Sequence, residues 1–393
     1  INEAELQEIL DYFINGSMPY FVVYLHLLLA LVQEQQGNLV EAARHLAQGF
    51  QIAKGYYHHA ELSKTDLARA CALALELEVA EAVDYAGLLL TTRLTAWAGP
   101  ELKRLSRHPN PKVARKAQEL QRIVHRAARP RLHIKTLGEF QVLRDRAPIP
   151  DSEWEGSQPR LLLKALISRG SYEVPKDLLK EDLWPEDSSV AMENKFKINL
   201  HRLRKSLEPT LDKTFGSSYV HVKDNLVCLD PELCQVDVET FLSCMRQGEQ
   251  LESAGDFKAA RSSLQKAVDQ YGGDFLITDL YAPWAERKRE ALQRQLVDAL
   301  MHLAILEEKH GSLRQALKYC QRVVKMDPLL EEAYQRLMLL NVRLGRRTAA
   351  LKIFADCQQA LRRELQIEPE ETTRAIYRKI LERARSGGGK NTS

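Results

Sequence analysis

The sequence is poor in cysteine, in long apolar runs and in net charge. Its six cysteines form no CxxC pair and its histidines do not cluster, so neither a disulfide framework nor a metal site is indicated. Such cysteine use fits a reducing cytoplasm. The most apolar stretch, residues 21–32, is interrupted by His26 and is shorter than the roughly 18 residues that cross a bilayer. The net charge of +3 says little about partners. These absences exclude a disulfide-stapled secreted domain and favour no membrane role.

Motifs of catalysis and cofactor binding are also missing. No HExxH motif and no Ser-His-Asp arrangement stands out in the sequence. The tail segment 387–390 superficially resembles a phosphate-binding loop, but Ala384 stands where that motif needs glycine and Asn391 follows the lysine. We therefore expect no enzyme activity, no cofactor and no metal, and we interpret residues 386–393 as a flexible tail.

The composition is that of several soluble globular domains. The chain has 393 residues, of which 45% are hydrophobic and 28% charged, and a single core rarely extends over such a length. It begins at Ile1 without methionine and shows no signal peptide, so we expect a fragment of a longer polypeptide.

A repeated phrase predicts helical hairpins of the tetratricopeptide (TPR) type. The segment GSLRQALKYCQRVVKMDP begins at Gly311, and similar phrases begin at Gly255, Gly345 and Gly37. Gly311 and Gly345 are 34 residues apart, which is the TPR period. A glycine at the turn and Ala316 at the crossing would let two antiparallel helices approach closely. An ordinary helical bundle is the alternative, and it is harder to dismiss for the single N-terminal copy.

The segments before residue 131 differ in charge. Residues 1–100 have apolar residues at helical spacing and predict a TPR-like arm. Residues 101–131 contain ten Lys or Arg against two Glu and are interrupted by the helix-breaking His108–Pro111. We interpret 101–130 as a basic helical linker, which is either a solvated surface or an auxiliary phosphate contact. The break is expected to let the arm move relative to the next domain.

The pattern changes at residue 131 to short strands, then helices, then a hairpin. Alternating apolar residues predict strands around Leu132–Ile134 and Phe140–Val142. Helices are predicted at 158–169, 176–184 and 190–207, because each follows a serine or proline start signal. Two apolar strands, 219–222 and 226–229, then flank a polar turn. This order of elements fits a winged helix-turn-helix with small antiparallel sheets.

Positive charge is concentrated on the third of these helices. Phe196, Leu200, Leu203 and Leu207 recur at helical spacing and predict a buried stripe. Residues 194–207 contain five Lys or Arg and no acidic residue, whereas residues 131–230 balance at sixteen of each sign. The side opposite the stripe is predicted to present a set of mainly polar residues: Lys195, Ile198, Asn199, Arg202, Lys205 and Ser206, with Lys197, His201 and Arg204 at the flanks. Such a helix suits the DNA major groove.

These segments resemble a known family of regulators. LHIKTLGEFQVLRD, LLKEDLWPEDSS and INLHRLRKSLE resemble the OmpR-type winged helix of SARP and AfsR-like regulators. From VDVETFLSCMRQGEQLESAGDF onward, through DLYAPWAERKREAL, the chain resembles the bacterial transcriptional activator domain (BTAD), which is built of TPR-like helices. GNLVEAARHLAQGFQIA resembles the helical sensor arm of large STAND signal-transduction ATPases, so the chain would be the output end of such a regulator.

The resemblance implies a fold and a domain order. The fold class is mainly α, with TPR-like helical repeats flanking a winged helix-turn-helix that carries small antiparallel β-sheets. The expected order is an arm, a linker, a DNA-binding winged helix, a BTAD and a tail: 1–100, 101–130, 131–231, 232–385 and 386–393.

The resemblance also implies DNA-binding residues. Lys195, Ile198 and Arg202 are expected at base edges. The expected phosphate contacts are Asn194, Asn199, His201, Arg204 and Lys205. Lys197, on the flank of the helix, is also expected to bind DNA. Lys223 lies at the tip of the wing, where the family often reaches a neighbouring minor groove, but this wing lacks the usual arginine and carries Asp224 instead.

The function implied is sequence-specific binding of double-stranded promoter DNA by a cytoplasmic transcriptional regulator, with activation as the expected output. The loop from Pro185 to Met192 corresponds to the family's RNA polymerase contact, and the TPR-like domains are expected to support self-association or signal coupling. The alternative is a TPR scaffold that binds peptide or protein partners and uses the winged helix for protein contacts. RNA binding is disfavoured, because aromatic stacking residues are missing beside the basic ones.

Overall fold

The structure is a computed structural model that describes residues 3–16, 18–56, 62–211 and 216–387. It divides into two compact units, Ile1–Pro130 with Lys213–Ser218, and Arg131–Asp212 with Tyr219–Ser393. The predicted tail lies outside the described residues from position 388 onward.

The first unit is built from helices joined by turns over its described residues up to 130. Its helices are α1 (Glu3–Asn15), α2 (Pro19–Gln35), α3 (Leu39–Tyr56), α4 (Lys64–Glu76), α5 (Val83–Thr92), α6 (Thr95–Leu105) and α7 (Pro111–Ala127). The hairpin of α2 and α3 turns at Gly37, whose φ of +83° lies in the left-handed region that glycine adopts without strain. Ala42 is fully buried at the helix crossing. The N-terminal TPR-like hairpin is therefore present.

The segment predicted as a linker packs instead into this unit. Val113, Ala117 and Leu120 of α7 share one core with Leu102 and Leu105 of α6. The high content of basic residues predicts a linker at 101–130. The apolar residues of α7 recur at helical spacing, however, and give this helix a buried face.

The break at 108–111 is a capped turn inside the first unit. The Asn110 side chain accepts a hydrogen bond from Lys112 N at 3.0 Å and donates one to Glu78 Oε1 at 2.6 Å. It connects α6 to α7 within one packed core, so it is not the hinge expected between the arm and the winged helix.

The second unit begins with a sheet and three helices. Its first strands are β1 (Leu132–Lys135), β2 (Gln141–Arg144) and β3 (Ala147–Pro148), followed by α8 (Ser157–Ser168), β4 (Val174–Pro175), α9 (Lys176–Leu183), α10 (Ser189–Leu207), β5 (Val220–Lys223), β6 (Leu226–Leu229) and β7 (Cys234–Val236). One sheet has the order β3-β2-β1-β7 and the other β4-β6-β5. All strand pairs are antiparallel as predicted except β1 with β7, which is parallel.

In the part of the chain that the structure describes, seven helices complete the second unit: α11 (Asp237–Ser253), α12 (Phe257–Gln270), α13 (Pro283–Lys309), α14 (Leu313–Met326), α15 (Glu331–Arg343), α16 (Arg347–Glu364) and α17 (Glu371–Gly387). The first six form three hairpins, which turn at Gly255, Gly311 and Gly345. Five residues after each glycine an alanine is fully buried, as at Ala316. The predicted TPR-like phrase is therefore the sequence of a tight helical hairpin.

Candidate nucleic-acid interface

Helix α10 is held in place by one apolar face. Phe196, Leu200, Leu203 and Leu207 are buried in the core of the second unit, as their spacing predicts. The helix begins where the Ser188 hydroxyl accepts a hydrogen bond from Ala191 N, which caps its first turn. Burial of these four side chains orients the opposite face toward solvent.

Seven of the predicted contact residues are exposed on that opposite face. They are Asn194, Lys195, Lys197, Ile198, His201, Arg202 and Lys205. Ile198 is 52% exposed, although the apolar residues on either side of it in the helix, Phe196 and Leu200, are buried. The face therefore combines cations, an amide and one aliphatic side chain.

Three further residues predicted on this face lie elsewhere. Asn199 is 6% exposed and donates a hydrogen bond from Nδ2 to Lys195 O at 2.9 Å. Ser206 is buried as well. Arg204 is half-buried and donates from Nε to Val220 O at 3.1 Å, and burial lowers the pKa of its guanidinium. Asn199 lies three residues after Phe196, and Ser206 three after Leu203, so the buried stripe is wider than the apolar residues alone indicate.

The exposed cations differ in their neighbours. Lys195 Nζ lies 2.5 Å from Asp187 Oδ2, and Lys205 Nζ lies 2.5 Å from Glu155 Oε1. The hydrogen bond from Lys205 lowers the pKa of the Glu155 carboxyl. Lys197 Nζ lies 3.5 Å from Glu193. Arg202 has no hydrogen bond or ion pair with any described residue, so its guanidinium is available to a ligand.

The wing is the β5–β6 hairpin. Its strands pair from Val220 with Leu229 to Lys223 with Leu226, which leaves a two-residue turn at Asp224 and Asn225. Both turn residues have positive φ, as a type I′ hairpin turn requires. Lys223 is exposed at this tip beside the acidic Asp224.

The loop predicted to contact polymerase is shorter than expected. Only Pro185–Ser188 is a loop, because α10 already begins at Ser189 and includes Val190 and Met192. The loop is anchored by Trp184, which is 8% exposed and donates from Nε1 to Gln158 Oε1 at 3.2 Å.

The winged helix is joined to the following helices by a half-buried carboxylate that the sequence did not reveal. Asp237, the first residue of α11, accepts hydrogen bonds from the backbone of Thr136 and Leu137 at 2.7 and 2.9 Å, and from the Thr136 hydroxyl at 2.6 Å. Helix α8 is joined to the same region by Lys164, which lies 2.7 Å from Asp279. These partners are about a hundred residues apart in sequence, so no local pattern identifies them.

Searches of the described residues for other kinds of site give two results. No described helix has the length and apolarity that a membrane crossing requires. In the same residues, no group of three or more His, Cys, Asp or Glu side chains is arranged to hold a metal ion.

Comparison with known proteins shows which class of protein this chain resembles. Residues 236–381 match the Bacterial transcriptional activator domain. Regulatory protein AfsR of Streptomyces coelicolor is 26% identical over 225 residues, which cover 57% of this chain and 22% of AfsR. Transcriptional regulatory protein MoaR1 of Mycobacterium tuberculosis is 24% identical over 230 residues, which cover 57% of this chain and 71% of MoaR1.

A solved structure shows the same fold. Mycobacterium tuberculosis EmbR, in complex with a low affinity phosphopeptide, aligns with a TM-score of 0.55 and 22% identity, over 65% of this chain and 66% of that one. The chain carries a BTAD and is a SARP-like relative of transcription regulators. Its match spans less than a quarter of the S. coelicolor AfsR sequence, 22%.

Proposed function

We propose that this protein is a sequence-specific, double-stranded DNA-binding regulator that reads the major groove with α10. The observation that carries the proposal is the exposed face of that helix, where an unpaired Arg202 and the aliphatic Ile198 stand among further cations. The major groove is about 12 Å wide and admits a helix of about that diameter. Arginine can pair bidentately with guanine, and an aliphatic side chain can contact the thymine methyl group.

The exposed residues divide into two proposed roles. Lys195, Ile198 and Arg202 would lie at base edges, and Asn194, Lys197, His201 and Lys205 would bind phosphates. Binding to DNA must displace the acidic neighbours of Lys195 and Lys205, Asp187 and Glu155. Both lysines are exposed, so these ion pairs are screened by solvent and of small energetic value. Asn199 and Arg204 would act indirectly, by fixing α10 against the core. Lys223 would contribute a phosphate contact at the wing, and Asp224 argues against deep entry into the minor groove.

The remaining regions have proposed supporting roles. We divide the chain into an N-terminal helical unit, a winged helix beginning at residue 131 and a BTAD that follows it. Activation is the proposed output, in keeping with the description of the domain at 236–381. The loop Pro185–Ser188, together with the first turn of α10, is the proposed contact to RNA polymerase. The TPR-like hairpins are the proposed surface for self-association. The proposed location of the protein is the cytoplasm.

The test is duplex binding by the whole chain to promoter DNA from its own genomic neighbourhood, measured by fluorescence anisotropy. We expect saturable binding whose affinity falls steeply with salt, because phosphate contacts release counterions. The double variant Lys195→Ala/Arg202→Ala should weaken it strongly. The charge-matched control is Arg314→Ala/Lys318→Ala, which removes two exposed cations from α14.

Two results would contradict the proposal. One is the absence of salt-sensitive duplex binding, which would favour a TPR scaffold that binds protein partners. The other is an equal loss of affinity in both double variants, which would assign binding to general positive charge and not to α10.

A further inference from the structure

The first unit contains an open cleft between its first three helices. The cleft has a volume of about 540 Å³, which lies in the range of small-molecule sites. Phe13 and Ile14 of α1, Val22 of α2 and Ile52 of α3 form its apolar walls, together with Met18. Three polar residues also line it, namely His26, Gln48 and Gln51.

His26 is the buried polar group of this cleft. It is 5% exposed, and its Nδ1 lies 3.0 Å from Nδ1 of His45, which is also buried. Helix α3 approaches it closely at Gly49, where a Cβ atom would lie 3.1 Å from the Cβ of His26. The ring is therefore fixed on one side by α3.

The other nitrogen of His26 is the one available for a further hydrogen bond. Among the described residues, Nε2 has no hydrogen-bond partner, and His26 lines the cleft. An imidazole nitrogen can donate or accept a hydrogen bond, depending on the tautomer. At the wall of an apolar cleft, Nε2 is therefore free to bond a polar group of a molecule that enters the cleft.

The walls define the chemistry of that partner. None of the described lining residues is charged. Burial, followed by the nearby His45 and Arg44, lowers the pKa of His26 to about 4, so its ring is neutral at pH 7. A charged ligand would lose its hydration here without a counterion, which is unfavourable. A neutral ligand loses little and gains contact with the apolar walls.

We propose that this cleft binds a small uncharged molecule with an apolar body and one hydrogen-bonding group, which meets His26 Nε2. The tautomer of His26 adapts to the ligand through His45. When His26 Nδ1 carries the proton, Nε2 accepts a hydrogen bond, and in the other tautomer Nε2 donates one. The site is separate from α10, so the proposal stands whether or not the protein binds DNA.

The probe for this site is N-phenyl-1-naphthylamine, an uncharged aromatic amine whose fluorescence rises in apolar surroundings. We expect saturable binding to the whole chain. Ile14→Glu and Met18→Glu place a carboxylate at the cleft wall on half-exposed residues, and each should weaken binding at least about tenfold, or 1.4 kcal/mol. Leu88→Glu is the matched control, because Leu88 is similarly exposed in the same unit but outside the cleft, and it should leave the affinity unchanged.

A second comparison tests the hydrogen bond. His26→Phe should weaken binding of the amine about three- to tenfold, as expected for one lost hydrogen bond. It should leave binding of 1-phenylnaphthalene, which has no N–H group, unchanged. Circular dichroism of each variant checks that the chain is folded, and the two exposed substitutions keep the test valid if His26→Phe does not fold.

Three outcomes would overturn the proposal. The first is no saturable binding of the probe. The second is equal weakening by Leu88→Glu and by the cleft variants, which would place the probe elsewhere. The third is failure of the probe together with self-association that Ile14→Glu abolishes in sedimentation experiments, which would assign the cleft to a second copy of the chain.

Discussion

At the scale of single residues, the cations of α10 are not equivalent. Lys195, Lys197 and Lys205 each lie within 4 Å of a carboxylate, whereas Arg202 has no such neighbour among the described residues. An arginine also offers two parallel donors that match the acceptors of guanine, which a lysine cannot do. Arg202 is therefore the residue on which sequence preference should depend most.

We predict that Arg202→Ala lowers the affinity for specific promoter DNA by about 1–3 kcal/mol and the affinity for random DNA much less. The charge-matched control is Lys205→Ala, which should weaken both complexes by similar small amounts, since a phosphate contact carries no sequence information. Anisotropy titrations at one salt concentration measure both. Equal losses on the two DNAs for Arg202→Ala would show that this residue contacts phosphate only.

The buried pair of His26 and His45 gives the first unit a dependence on pH. The pKa of His26 is lowered from 6.5 to about 4, first by burial and then by His45 and Arg44. Between pH 6.5 and about 4, His26 is therefore protonated in the unfolded chain but neutral in the folded chain. Stability from this residue is complete above pH 6.5 and is lost as the pH falls toward 4.

We predict that the first unit loses about 2 kcal/mol between pH 7 and pH 5, and that His26→Phe removes most of this loss. The change in the free energy of unfolding is measured by urea titrations at both pH values, with hydrogen exchange in α2 and α3 as the probe of unfolding. NMR titration should show no protonation of His26 between pH 8 and pH 5. A pH dependence as large in the variant as in the original protein would mean that other groups cause it.

The sequence predicts some of these residues well and others poorly, for a physical reason. Phe196 and Leu203 are found by helical spacing, because apolar side chains must be buried. The polarity of Asn199 and Arg204 predicts that both lie on the DNA face. Asn199 instead donates a hydrogen bond to the carbonyl of Lys195 in the same helix, and Arg204 donates one to the carbonyl of Val220 in β5. Polarity alone does not show whether a partner lies in the protein or in solvent.

At the scale of elements, the winged helix depends on residues beyond its predicted end at 231. Strand β7 pairs with β1 from Leu132 with Cys234 to Ile134 with Val236, and Asp237 follows it at once. Leu132 and Ile134 are buried in the core, so loss of β7 exposes the edge of a core strand. Parallel pairing between strands a hundred residues apart leaves no local signal in the sequence, unlike the glycine turns of the TPR-like hairpins.

We predict that residues 131–231 alone bind DNA more weakly than residues 131–387 and melt less cooperatively. Within the longer piece, Asp237→Ala should destabilise by about 3 kcal/mol, because it removes several charge-assisted hydrogen bonds. Asp256→Ala is the control, since the Asp256 carboxylate accepts a single backbone hydrogen bond among the described residues, from Ala259 N at the start of α12, and its loss should cost about 1 kcal/mol. Calorimetry and anisotropy measure these differences. If residues 131–231 alone bound DNA with unchanged affinity and unfolded in a sharp thermal transition, the winged helix would not depend on the residues after 231.

At the scale of the whole molecule, positive charge occurs in a second place. Helix α7 and the residues before it carry exposed cations without an ion pair to any described residue, among them Lys103, Arg107, Lys112, Arg115 and Arg122. The capped turn at Asn110 lies within the packed core of the first unit, so it is not the hinge expected between the arm and the winged helix. Because the cations are exposed and have no ion pair among the described residues, we favour an auxiliary phosphate contact over a solvated surface as the role of the basic segment.

We predict that the whole chain binds promoter DNA more tightly than residues 131–387 do, and with a steeper dependence on salt. Each phosphate contact contributes about 0.9 to the slope of log affinity against log salt, so Lys112→Ala/Arg115→Ala should lower the slope by about 2 in the whole chain. Arg44→Ala/Lys64→Ala removes two exposed cations elsewhere in the first unit and should leave the slope unchanged. Anisotropy titrations between about 50 and 200 mM salt resolve such slopes, since several phosphate contacts change affinity by orders of magnitude over that range. Tighter binding by residues 131–387 would contradict the prediction, because it would mean that the first unit inhibits binding of DNA. An increase in affinity of roughly 5- to 150-fold would correspond to a coupling free energy of about 1–3 kcal/mol.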